Sequence, residues 1–310
     1  MKLVSLLPIA SLASLGLVSA TDVPFSSTNP AWKANFKTSG GEIQYCPTGD
    51  CAATAFSVKV TKIEEYTPGA SGAPDTSVKL ADLTLGTVTD WTALVNSPAS
   101  GTAVGKTSTY VQGLKKDAST ELGTLTLSAV AYTTASTASF AGATLTIPVS
   151  SVKFTAGIDG WDPAAGNKVK MELTVTSTAK ASGGSSQAAL ALASAVGTDT
   201  ISKTVTIGDG MYLDVATKAE AGSTPDEIAV TPAIDGAKVV LVFDTFNGKT
   251  PLKYDPVMYY KAPENPAVTT AAPTTAPTNS TTPAPSGASS VWGYAASVFV
   301  GAAAIAAMMV

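Results

Sequence analysis

Short runs in which apolar and polar residues alternate recur along this chain, and that period of two constrains its fold more than any other feature. Val169-Lys-Met171-Glu-Leu173-Thr-Val175 is the cleanest run. Successive side chains on a strand point to opposite faces, so such a run buries one face and wets the other. Phe56-Ser-Val58-Lys-Val60-Thr, Leu125-Thr-Leu127-Ser and Leu145-Thr-Ile147-Pro-Val149 repeat the pattern. Val239-Val-Leu241-Val-Phe243 is apolar throughout and reads as a central strand buried on both faces. Asp159-Gly160, Asp209-Gly210, Asp235-Gly236 and Asn247-Gly248 favour tight turns, and the last three stand between apolar runs as hairpin connections do. No window carries a long, capped 3.6-residue pattern. The nearest, Gln187–Val196, reads equally as a strand or a short helix. Many short strands without alternating helices predict an all-β fold, an antiparallel β-sandwich of jelly-roll or Ig-like type.

The sandwich is expected over residues 21–261, a length that suits one large all-β domain or two small sandwiches. A weak echo between Lys33–Thr61 and Lys153–Thr176 keeps a two-domain alternative, split near Ala141. One domain is the preferred reading.

Both ends read as processing signals. Residues 1–20 combine Lys2, an apolar run from Leu3 to Val18 and the small-residue finish Val18-Ser19-Ala20, the layout of a secretory signal peptide. A stalk is expected over 262–290, where Val268–Ser290 is rich in Thr, Pro, Ser and Ala and carries no charge. Such a stretch buries too little apolar surface to fold, and clustered Thr and Ser beside Pro read as an O-glycosylated, disordered stalk. Asn279-Ser280-Thr281 within it is the candidate N-glycosylation sequon. Residues 291–310 form a second apolar run with no Lys or Arg stop-transfer charge after it. With the small triplet Ser286-Gly287-Ala288 upstream, that is the layout of a GPI-attachment signal, and Ser286, Gly287 and Asn279 are the candidate attachment residues.

Cys46 and Cys51 frame Pro47-Thr48-Gly49-Asp50, with Pro and Gly placed as in a type I turn starting at Cys46. In a secreted chain so close an even pair reads as a disulfide, and the spacing is not that of a C-x-x-C redox pair.

Composition narrows the chemistry. Among 310 residues there is no histidine and no arginine, so all 19 basic residues are lysine. Triads and metal sites that require His are therefore excluded, as are Arg clamps on phosphate or carboxylate. The net charge of −4 argues against a nucleic-acid partner. Ser100–Thr107 resembles a phosphate loop but has Ser where the first Gly belongs. Asp244-Thr245-Phe246 lacks the Gly of the aspartic-protease triplet. Glu64 and Glu65 are adjacent, so on a strand they point to opposite faces and cannot jointly flank a glycosidic bond. Asp159–Asn167 has the oxygen-rich composition of a calcium loop without the register of one, and its alternative is a solvated turn with Trp161 packed inward. Trp161, Tyr259 and Tyr260 are candidate sugar-stacking residues, with Trp32 and Trp91 as further aromatics, although core packing is the default for each.

The ends of the chain, residues 1–20 and 268–310, resemble those of GPI-anchored surface or wall glycoproteins of eukaryotic microbes such as fungi and oomycete-like organisms. The resemblance covers about a fifth of the chain. It implies an extracellular location on the outer face of the plasma membrane or in the wall, with the GPI lipid as membrane partner and wall polysaccharide or another cell's surface as further partners. No catalytic residue and no cofactor come with it. The reading is a non-catalytic surface glycoprotein, structural or adhesive. The alternatives are a carbohydrate-binding module and a glycan hydrolase using an Asp/Glu pair.

Overall fold

The computed structural model describes residues 22–70, 73, 75–98, 101–178, 190–193, 202–224 and 226–261. These are strands, turns and bends with no helix among the described residues. The first strands are β1 (Val23–Thr28), β2 (Ala31–Lys37), β3 (Glu42–Cys46), β4 (Phe56–Thr67), β5 (Thr76–Leu80), β6 (Val88–Thr89) and β7 (Val95–Ser97). Then come β8 (Gly105–Lys115), β9 (Glu121–Tyr132), β10 (Ser136–Phe140), β11 (Ala143–Ile147), β12 (Ser151–Asp159), β13 (Lys168–Ser177) and β14 (Ala191–Ala193). The last are β15 (Ser202–Gly208), β16 (Met211–Ala216), β17 (Lys218–Ala221), β18 (Asp226–Asp235), β19 (Lys238–Phe243), β20 (Leu252–Tyr254) and β21 (Val257–Tyr260).

All pairings are antiparallel and, apart from one hairpin, fall into two layers. The first sheet runs β1-β2-β3-β4-β13-β19-β18, with β5 beside the second half of β4. The second has β6 and β7 on β8, then β9 and β12. Beyond β12 it forks: the first half of β12 pairs with β21, leading to β16, β15 and β14, and the second half pairs with β20, leading to β17. β18 joins the layers, since Asp226–Ala229 pair with β17 and Val230–Asp235 with β19. Pro232 fits this place because, among the described residues, no strand pairs with its other side to ask for an N–H. β10 and β11 form a separate hairpin.

The sheets face each other across an aromatic-rich core. Phe36 of β2 meets Trp91 at 5.1 Å, and Trp91 meets Tyr110 of β8 at 5.6 Å. Phe243 of β19 stands edge-on to Tyr254 of β20 at 5.4 Å. The Tyr45 hydroxyl donates to the Ser150 carbonyl at 2.6 Å. This is the all-β antiparallel sandwich expected from the alternating runs, and one hydrophobic cluster extends from Phe25 to Met258. Strands from either side of residue 141 lie side by side in both sheets, as β4 with β13 and β9 with β12.

Two local expectations need correction. Val239, Leu241 and Phe243 are buried, but Val240 and Val242 are only half-buried. Their outward side chains stand beside Glu172 and Lys170, their register partners on β13, on the face of the sheet that carries the charges. Asn247-Gly248 is a turn but closes no hairpin: β19 before it belongs to the first sheet and β20 after it to the second. Asp209-Gly210 and Asp235-Gly236 do connect hairpins. Of Gln187–Val196, Ala191–Ala193 form β14, and most of the remainder lies outside the described residues.

Candidate functional site

The cysteine turn is built as its spacing predicts. Cys46 and Cys51 are disulfide-bonded with Cα atoms 4.9 Å apart. The Gly49 N–H donates to the Cys46 carbonyl at 3.2 Å. Gly49 has φ +77, a conformation that costs glycine little.

The segment after β12 is organised by Glu65. A bulge at Thr61 shifts the β4 register against β13, so Ile63 and Glu65 face inward while Lys62 and Glu64 face outward. Glu65 is fully buried. Its Oε1 accepts from the Ala164 N–H at 3.0 Å and from Asn167 Nδ2 at 2.7 Å. Its Oε2 accepts from Trp161 Nε1 at 3.1 Å and pairs with Lys79 Nζ at 2.8 Å. Burial alone would raise this carboxyl, but Lys79, Asn167, the Ala164 amide and Trp161 together hold it below the usual range. Trp161, 1% exposed, is therefore a wall of this polar knot and not a sugar platform, which corrects that assignment. The loop's oxygens hold protein donors: Asp162 accepts from the Gly248 N–H at 2.7 Å and Asp159 from the Gly160 N–H at 2.9 Å.

A concavity of about 750 Å³ lies on the outer face of the first sheet. Its walls include Val78 and Leu80, 41% and 45% exposed, and its floor includes Lys62, Glu172 and Lys238. Charges alternate across the strands beneath it. Lys62 pairs with Glu64 at 2.8 Å and with Glu172 at 3.8 Å, Lys170 with Glu64 at 3.0 Å, and Lys238 with Glu172 at 2.8 Å. Burial would raise Glu64, but bonds from Lys62, Ser77 and Lys170 outweigh it and bring the pKa down to about 2. Asp82, on the rim, is lowered by the Thr84 hydroxyl and amide, and Asp117 falls to about 2 through Ser119 and Thr120. A general acid at neutral pH needs the opposite shift. Glu64 and Glu172 share Lys62 as a counter-ion.

Tyr212 and Tyr259 occupy the outer face of the second sheet. Tyr259 stacks on Tyr212 with centroids 5.4 Å apart and planes at 24°. Its hydroxyl donates to Asp214 Oδ1 at 3.3 Å, where the Thr204 hydroxyl also donates at 2.6 Å. Burial, with the Asp214 charge added, pushes the Tyr259 hydroxyl well above its ordinary pKa. One face of each ring is covered by the other, and Tyr260 is half-buried against the core. Trp32 and Trp91 are buried, the latter donating to the Lys37 carbonyl at 3.0 Å.

The Gly-Lys-Thr of the phosphate-loop lookalike is the start of β8, where Thr107 donates to the Ala129 carbonyl at 3.1 Å. Asp244 pairs with Lys168 at 2.7 Å. The signal segment, the stalk, Asn279, Ser286, Gly287 and the apolar tail all lie outside the described residues. The anchoring role of Glu65 went unread in the sequence, although the adjacent Glu64-Glu65 pair on an alternating strand required one of them to face inward. A scan of family models finds no match to this chain, and a search of curated proteins finds none either.

Proposed function

We propose that the protein is a non-catalytic cell-surface or wall glycoprotein, structural or adhesive, held at the membrane by a GPI lipid. One observation carries the reading, the order of segments along the chain: an apolar leader ending Val-Ser-Ala, a β-rich body, a Thr/Pro stretch, a small-residue triplet and an apolar run. Four carboxylates of the body support a non-catalytic role, because Glu64, Glu65, Asp82 and Asp117 are each held ionised by donors within the fold. The test expresses the full chain beside a variant lacking residues 286–310 and treats the cells with phosphatidylinositol-specific phospholipase C. The full chain is expected on the cells and released by the enzyme, and the variant in the medium. Cell association that survives loss of residues 286–310 would defeat the proposal.

A further inference from the structure

Gly157 lies within β12, between β9 and β20, at a position where a glycine weakens the strand. A glycine within a strand has three usual reasons: an unusual backbone angle, a close backbone neighbour, or a bulge. The other strand glycines each have one. Gly123 and Gly208 have φ of +151 and +112. At Gly113 a Cβ would sit 3.3 Å from the Thr87 nitrogen, and at Gly105 it would collide with the Ala131 carbonyl. Gly157 has none. Its register is unbroken on both sides, its φ is ordinary, and the nearest atom to an added Cβ would be the Thr126 carbonyl oxygen at 3.6 Å. What the missing side chain does is open a cleft of about 260 Å³ on the outer face of the second sheet.

The walls of that cleft have a definite chemistry. Thr126 and Ser128 line it from β9, Thr155 and Asp159 from β12, and Pro251 and Lys253 from the chain entering β20. Three hydroxyls can each donate and accept, Asp159 accepts, Lys253 donates, and the Pro251 ring is apolar. One negative and one positive side chain leave the walls without net charge. The volume falls just below the ~300 Å³ at which drug-sized pockets begin, which suits a single ring. An uncharged ligand dense in groups that both donate and accept, with an apolar ring face, fits these walls.

We propose that the cleft over Gly157 binds one uncharged sugar ring of a glycan. The site is separate from the tyrosine stack and does not depend on how the chain is held at the surface. The test uses the full chain, purified in detergent from the cells expressing it, and titrates soluble gluco-, manno- and chito-oligosaccharides by calorimetry. Binding of at least one is expected. Gly157→Val should weaken it at least about tenfold by filling the cleft, with the melting temperature kept or raised because valine favours strands. Asp159→Asn combined with Lys253→Gln should also weaken it, while Tyr259→Ala should not. Three outcomes would each overturn the proposal: no oligosaccharide binds, Gly157→Val binds as well as the native chain, or Gly157→Val melts lower. Loss in Tyr259→Ala alone would move the site to the tyrosine stack and overturn it equally.

Discussion

Replacing Glu65 by alanine removes the acceptor for Trp161, Asn167 and the Ala164 amide and strips Lys79 of its counter-charge. Leaving the buried Trp161 and Asn167 donors without an acceptor costs roughly 2–6 kcal/mol for the two together, while Lys79, about a third exposed, keeps its bond to the Asp162 carbonyl. Glu65→Ala should therefore lower the free energy of unfolding measured in urea by that amount and move Trp161 emission to the red as the loop loosens. Glu65→Gln keeps an acceptor oxygen and should cost less. A loss below about 1 kcal/mol in the alanine variant would mean that this loop is held by packing and not by the carboxylate.

Among the elements, the disulfide turn closes a short loop, its two cysteines five positions apart in the chain. The chain-entropy relation gives about 2 kcal/mol for so short a loop. Replacing Cys46 and Cys51 together by alanine should lower the melting temperature by roughly 4–8 °C without unfolding the sandwich, since β3 stays paired on both sides. A variant that fails to fold would make the staple a condition of folding. Cys46–Cys51 and Val169–Val175 were legible in the sequence because each is a local signal: a turn spacing in one case, a one-sided strand in the other. Three features were less legible for physical reasons. Val240 and Val242 look like core residues, but hydropathy does not register that their face of the sheet carries the charges. Asn247-Gly248 specifies a reversal of the chain and nothing about which sheet receives the next strand. The Thr61 bulge left a faint trace in the broken alternation Val60-Thr-Lys-Ile63, yet it decides that Glu65 reaches Trp161. The cleft over Gly157 left no trace, since it depends on β9 and β20 flanking β12, pairings distant in sequence.

At the scale of the whole molecule, a chain with no histidine and two bonded cysteines has no side chain whose ordinary pKa falls between pH 5 and 8. Its stability should be flat across that range. Below it, Glu64 and Glu65 govern the acid limb, because their folded pKa values lie under the unfolded one of about 4.5. As the pH falls, the unfolded chain takes up protons first, so stability present above about 4.5 is lost on the way to pH 2. Glu64, 10% exposed at its side chain, accounts for roughly 3 kcal/mol of that loss, taking about 1.4 kcal/mol per pKa unit. The isoelectric point near 4.9 lies above this limb, so two events should separate on acidification. Turbidity should rise near pH 4.9 while near-ultraviolet circular dichroism stays native, as repulsion between folded molecules vanishes. Unfolding should follow only at lower pH, and Glu64→Gln should lower stability at pH 7 while making the acid limb shallower. A single transition in which both signals change near neutrality would show that the ion pairs beneath the large groove do not govern the molecule's response to acid.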